Sequence, residues 1–193
     1  MKKATKFFCL FVLIICSACN SVHEHVLFDG KHLNNLTLTN SQSEDGILVL
    51  KGNDSKAVYN QRIFKDFELL AELCTTPGGK GEIWFHSDPE LNTGYNIAIN
   101  NDRTDSVWWK MTGSLMAVRN LTNTRIDDNQ WFNMKIRVEG KSIQVFINEE
   151  LMVDYIEPAA PYRTELQMNK LISEGVLGFT GYGNGNILPE LLN

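Results

Sequence analysis

An all-β sandwich is the fold this sequence predicts, and three observations carry the prediction. Short runs rich in Val, Ile, Phe and Trp recur between turn signals. The best of them alternate apolar and polar residues with the two-residue period of a half-buried strand. A single late segment, near 164–172, has helical spacing.

Taken in chain order, the first eighteen residues stand apart from the fold. Lys2, Lys3 and Lys6 precede an apolar run from Phe7 to Ile15, and Ser17-Ala18-Cys19 follows. This is the layout of an export signal, and the apolar run is about half the ~20 residues a membrane-spanning helix needs. The segment resembles a bacterial lipoprotein leader, with Cys16 where that motif has Leu. Residues 1–18 are then the signal, Cys19 the lipidation site, 19–24 a tether and 25–193 one domain.

Strands are expected at His25–Phe28, Ile47–Leu50, Phe67–Leu73, Glu82–His86, Tyr95–Asn100, Ser106–Lys110, Phe132–Val138, Ile143–Ile147 and Val176–Thr180. Glu44-Asp45-Gly46, Pro77-Gly78-Gly79, Glu139-Gly140-Lys141 and Asn148-Glu149-Glu150 supply turns between them. Phe67, Leu69, Ala71 and Leu73 share one face, as do Met134, Ile136 and Val138. Thr164 to Gln167 fits a capping box, and Met168, Leu171 and Ile172 continue it as a short helix or helical turn.

Composition narrows the function. The formal net charge of −5 becomes more negative once the three leader lysines leave, a poor balance for nucleic acid or an anionic membrane surface. Membrane contact is expected through the lipid anchor alone. Cys74 is the one cysteine left in the domain, so neither an intramolecular disulfide nor a cysteine zinc site is available. His23, His25 and His32 cluster near the start without ligand spacing.

Several motifs, in order, resemble those of one family. Val26 to Leu33 is similar to its "LF(N/D)GKDL" opening, Asp45 to Leu48 to "DGVL", Phe64 to Leu69 to "YGDFEL", and Pro77-Gly78-Gly79 to "SPGGNSG". Gly94-Tyr95, Gln130 to Asn133, Ile143 to Asn148, Asp154-Tyr155 and Ser173 to Gly175 continue the series. The family is DUF1080, the 3-keto-disaccharide hydrolase or 3-keto-glucoside lyase/hydratase domain. The resemblance implies a concanavalin-like jelly roll of two curved antiparallel sheets with a saccharide site on its concave face. It also implies attack on sugars whose C3 ketone acidifies the C2 proton, and a possible divalent metal with no clear ligand motif here.

Such chemistry needs a base, an enolate stabiliser and a donor to the leaving group. The family's acid-base positions are largely substituted: its "GYEVQI" carboxylate falls on Asn96, its Gln on Ala98, and its late "QxH" on Thr180 and Tyr182. New groups stand one strand away. In "GKGEIWFHSD", Glu82, Trp84 and His86 share a face, and one register with 95–100 sets His86 opposite Asn96, Trp84 opposite Ala98 and Glu82 opposite Asn100. Glu82, His86 and Lys110 are therefore the candidate catalytic residues. Trp84, Asn96, Asn100, Trp108, Arg119 and Tyr182 are the candidate saccharide contacts, with Trp84 as stacking floor. Bland readings stand beside these: a core Trp84, a structural His86, a solvated Glu82. A non-catalytic carbohydrate-binding module and a truncated inactive member remain alternatives. The chain closes with Pro189 in place of a recognisable final strand, which predicts an open sheet edge.

Overall fold

The computed structural model describes residues 26–33, 35–183 and 185–190. The expected leader, the tether, Cys19, His23 and His25 lie outside the described residues. The strands are β1 (Leu36–Thr39), β2 (Ser41–Glu44), β3 (Ile47–Lys51), β4 (Ser55–Phe64), β5 (Phe67–Thr75), β6 (Gly79–Ser87), β7 (Tyr95–Asn100), β8 (Phe132–Glu139), β9 (Ser142–Ile147), β10 (Glu150–Ile156), β11 (Gly175–Gly183) and β12 (Asn186–Glu190). They form two antiparallel sheets, ordered β1-β4-β11-β6-β7 and β10-β9-β8-β5-β12-β3-β2.

Alternation explains which side each strand buries. Leu69, Ala71 and Leu73 of β5 and Phe132, Met134, Ile136 and Val138 of β8 turn inward, meeting Ile83, Phe85, Ile97, Ile99, Leu177 and Phe179 from the other sheet. Burying each of these large side chains is worth roughly 1.5–3 kcal/mol, so the core rather than any covalent link holds the sandwich. A line of aromatic contacts, Phe64–Phe67–Phe85–Tyr95–Tyr155, crosses between the sheets.

Four expectations change. The chain does not lack a closing strand: β12 lies inside the seven-stranded sheet and pairs with both β3 and β5. Its pairing with β3 stops at Ile187 while the β5 side continues past Pro189. The proline, which has no N–H to give, therefore sits where one flank has no ladder partner, and no edge is opened there. Residues 26–28 are not a strand; Leu27 and Phe28 plug the core from an irregular segment. Residues 106–110 form turns, because the Asp105 carboxylate accepts from Val107 N–H and Lys110 N–H bonds back to Val107. The late helix shrinks to a 3₁₀ turn at Glu165–Gln167, and Thr164 makes no side-chain cap.

Two long loops flank the five-stranded sheet. The first, 101–131, runs part of its length along β7: Thr112 N–H bonds Asn100 O at 3.0 Å, Gly113 N–H bonds Ala98 O at 2.9 Å, and Met116 N–H bonds Asn96 O at 3.0 Å. It covers an edge that would otherwise present unpaired backbone. The second, 157–174, connects β10 to β11 and is fastened by side chains.

Candidate functional site

The outward face of the five-stranded sheet is read from its register. Trp84 lies opposite Asn96 on β7 and Gly178 on β11; Glu82 lies opposite Ala98 and Thr180; Lys80 lies opposite Asn100 and Tyr182. The register expected from sequence is thus two residues out. At His86 a φ of 54° breaks the strand's alternation where β6 enters its turn. Two glycines permit that bend. A Cβ on Gly94 would lie 2.4 Å from Phe85 O, and one on Gly175 would lie 2.4 Å from His86 C.

His86 consequently leaves the face. Its ring is buried edge-on against Phe67 and Phe85, with Nε2–H donating to Lys65 O at 2.7 Å and Nδ1 accepting Ser173 N–H at 3.3 Å. Burial pushes its pKa down despite the Lys65 carbonyl and the carboxylates of Asp66, Glu157 and Glu174. A neutral imidazole with both nitrogens engaged is a structural group, not the catalytic one that the sequence suggests. What it fixes is the loop after β10.

Glu82 stays on the face and is half-buried. Burial raises its pKa, against Asn96 hydrogen bonding, the positive charges of Lys170 and Lys110, and the Trp84 indole. Lys110 therefore acts on Glu82 through its charge, from a turn instead of the expected strand. Asn96 also belongs here, buried between Glu82 and Lys170. Tyr182 lies on the same face, and burial followed by the Glu82 and Asp105 charges holds its phenol well above the ordinary range.

The other candidates are placed differently. Trp84 is no open floor: its indole N–H donates to Thr180 Oγ1 at 3.2 Å, Lys170 Nζ sits 5.0 Å from its ring centre, and it packs on Val58, Leu91 and Val176. Asn100 is occupied at the root of the first loop, donating to Asp105 Oδ2 at 3.0 Å and accepting from Asp102 N–H. Asp105 also accepts Lys80 Nζ at 2.7 Å, and that bond, more than its other contacts, holds its pKa near 2. This pair pins the turn carrying Trp108 and Trp109, two exposed indoles 5.7 Å apart in an edge-on contact. Arg119 lies over the Tyr155 ring, 5.7 Å away, and bonds Val118 O, so its contacts are not with the Glu82 group.

Sequence reasoning missed Lys170. Its side chain bonds Asn96 Oδ1 and stacks on Trp84, and burial lowers its pKa, with Glu82 opposing and Lys110 and Arg163 adding to the fall. Long-range fastening delivers it. Arg163 Nε–H donates to Lys170 O at 2.9 Å, Gly94 N–H to Asn169 O at 3.1 Å, and Ile172 N–H to the buried Glu157 at 2.9 Å. Glu157 is itself held by the Tyr95 hydroxyl at 2.6 Å and Lys141 at 3.0 Å. No local pattern in 164–172 signals this.

Among the described residues no group of three or more His, Cys, Asp or Glu side chains could hold a metal ion. On this face two ammonium groups flank the single carboxylate, a charge set that repels a divalent cation. The residues present do not fit the metal that the resemblance implied.

Residues 24–187 match the family profile of the 3-keto-alpha-glucoside-1,2-lyase-like domain. Among curated proteins no relative matches. Of solved structures, a candidate glycosyl hydrolase from Parabacteroides distasonis superposes with a TM-score of 0.75 at 17% identity, covering 86% of this chain and 91% of its own. The carbohydrate binding module CBM66 from Bacillus subtilis gives 0.57 at 17% identity, with 81% and 92% covered. The VIP36 exoplasmic/lumenal domain in its Ca2+/Man3GlcNAc-bound form gives 0.54 at 12% identity, with 86% and 87% covered. At these identities the likeness is one of fold, a jelly-roll sandwich.

Proposed function

Because this chain belongs to the 3-keto-alpha-glucoside-1,2-lyase-like domain family, we propose that it cleaves 3-keto-glycosides by β-elimination, with hydration of the product completing a net hydrolysis. One observation carries the reading: a half-buried carboxylate of raised pKa, Glu82, is flanked by the cations of Lys170 and Lys110 on one sheet face.

Removing the C2 proton of a 3-keto sugar leaves an electron pair that spreads onto the C3 oxygen. Glu82 is the base, and its raised pKa brings it closer to the proton it must take. Lys170 and Lys110 supply positive charge where the oxyanion develops, in a site shielded from water by the two loops. Tyr182, kept protonated by its surroundings, is the donor to the departing C1 oxygen. Trp84 and Asn96 hold Lys170 in place. The exposed Trp108 and Trp109 lie at the rim, where an aglycone or second sugar ring stacks.

We further propose export and lipid anchoring at Cys19, on the strength of the leader composition alone. Radiolabelled palmitate incorporated into the wild type and lost in Cys19→Ala tests this.

The purified domain incubated with a methyl 3-keto-glucoside should release methanol and a 2-hydroxy-glycal ketone, while unmodified glycosides stay intact. Turnover should rise with pH through the Glu82 ionisation, which burial moves upward from its ordinary value. Saccharide binding without turnover would replace this reading by that of a non-catalytic binding module.

A further inference from the structure

We infer that Lys170 is a covalent catalyst, forming a Schiff base with the substrate ketone. The inference rests on the 3-keto-glycoside reading and replaces, for Lys170 alone, the role of counter-charge by that of nucleophile, the positive charge then being carried by the iminium. Two features of geometry, with the charges around the amine beside them, point to a nucleophile over a mere counter-charge.

The first is its company. The Lys170 amine touches the Asn96 side-chain carbonyl oxygen and the Trp84 ring, and makes no direct ion pair with a carboxylate among the described residues. A lysine meant as a fixed charge is commonly set on a carboxylate, as Lys80 is on Asp105 at 2.7 Å. The second is its surroundings. Lys110 and Arg163 are the other cations felt at Lys170, and Glu82 is the one carboxylate, so the ammonium form is disfavoured by burial and by like charge. Desolvation beside another cation is how an amine is kept partly free near neutral pH. The third is its placement relative to the base. Trp84, under Lys170, and Glu82 are two residues apart on β6, about 7 Å along the strand. That spacing suits an amine and a carboxylate reaching the adjacent C3 and C2 atoms of one ring.

The chemistry balances without another reagent. The neutral amine adds its electron pair to C3, the carbonyl pair moves to oxygen, and uptake of one proton from solvent with loss of one water leaves an iminium. Glu82 takes the C2 proton and the C–H pair becomes the C2=C3 bond of an enamine, the C=N pair returning to nitrogen. The nitrogen pair then remakes C3=N, the C2=C3 pair forms C1=C2 and the C1–O bond breaks; the leaving oxygen keeps its electrons and takes a proton from Tyr182. One water hydrolyses the conjugated iminium, restoring the ketone and the amine and releasing the proton taken up at the start, while Glu82 gives its proton to solvent and Tyr182 regains one. An iminium acidifies the C2 proton more than the ketone does, which offsets the loss of the family's usual acid-base residues.

Trapping tests the inference. The full chain is incubated with a methyl 3-keto-glucoside and sodium cyanoborohydride, and peptides are mapped by mass spectrometry. One reduced sugar should be fixed on Lys170 with matching loss of activity, in the wild type and in Lys110→Gln. Lys170→Arg, which keeps the charge but not the nucleophile, should fold normally, trap nothing and turn over at least about a hundredfold more slowly. Retention of activity within a few-fold by Lys170→Arg, or an adduct on another lysine, would overturn the covalent role and leave the 3-keto reading intact. A wild type with neither turnover nor adduct would overturn both.

Discussion

The two sheets treat the polar groups on their outer faces differently. On the seven-stranded sheet several meet a partner directly across the ladder: Arg137 lies opposite Glu68 and bonds it at 2.6 Å, Gln144 lies opposite Asp154, and Lys135 covers Phe146 at 4.5 Å. The Arg137–Glu68 pair is exposed and solvated. On the five-stranded sheet the row Lys80, Glu82, Trp84 faces Asn100, Ala98, Asn96, so no complement lies opposite Glu82. Its cations arrive instead from two loops, and partial burial raises its pKa. The same period-2 pattern thus produces a surface in one sheet and a reactive site in the other; the loops make the difference.

The sharpest way to break the contrast is to neutralise one acid on each sheet. Glu82→Gln should lower 3-keto-glycoside turnover by about 10²- to 10⁴-fold, whereas Glu68→Gln should leave it unchanged. Steady-state kinetics with matched thermal melts reads this directly, since neither side chain belongs to the core. Next in size is Glu157→Ala. It takes the acceptor from the Tyr95 O–H and the Ile172 N–H and frees the loop that carries Lys170. A stability loss of about 3 kcal/mol in urea is expected, with activity falling along with it.

A smaller effect comes from His86. Its folded pKa lies below the ordinary value of 6.5, so the unfolded chain takes up the proton first as pH falls. Stability from this group is therefore complete above pH 6.5 and declines below it until the folded ring protonates too. Protonation also removes the acceptor for Ser173 N–H. Melting temperature followed from neutral to acid pH should show the decline, and His86→Gln should flatten it. Least of all, Arg137→Ala should cost no more than about 1 kcal/mol, with kinetics untouched, because an exposed pair gains little over water. A larger loss would mean that the seven-stranded face is more than a solvated surface.

Which parts were legible in the sequence tracks the same division. β5 and β8 announced themselves because one face is apolar and the other carries charges, and β9 through the alternation of Ile143, Val145 and Ile147. β2 and much of β4 are too polar to give a hydrophobic period, β1 alternates Leu and Thr over only four residues, and β12 was hidden by its proline. The Val107-Trp108-Trp109 run read as a strand since it is apolar, but its indoles pack on each other at the surface. In the site, Glu82, Asn96 and Tyr182 were accessible from strand alternation. His86 was misread where a positive φ interrupts that alternation. Lys170 was invisible, because contacts to Asn96, Gly94, Glu157 and His86 position its loop and none is local in sequence.

The place of β12 bears on timing. Ile187 pairs with both Leu50 and Thr75, so strands made early wait for one made late before the seven-stranded sheet becomes continuous. Closing so large a loop is slow, and a nascent chain cannot complete the sandwich until its last strand has left the ribosome. A leader of the kind that residues 1–18 resemble would thus meet a polypeptide still open enough to thread through a translocation channel.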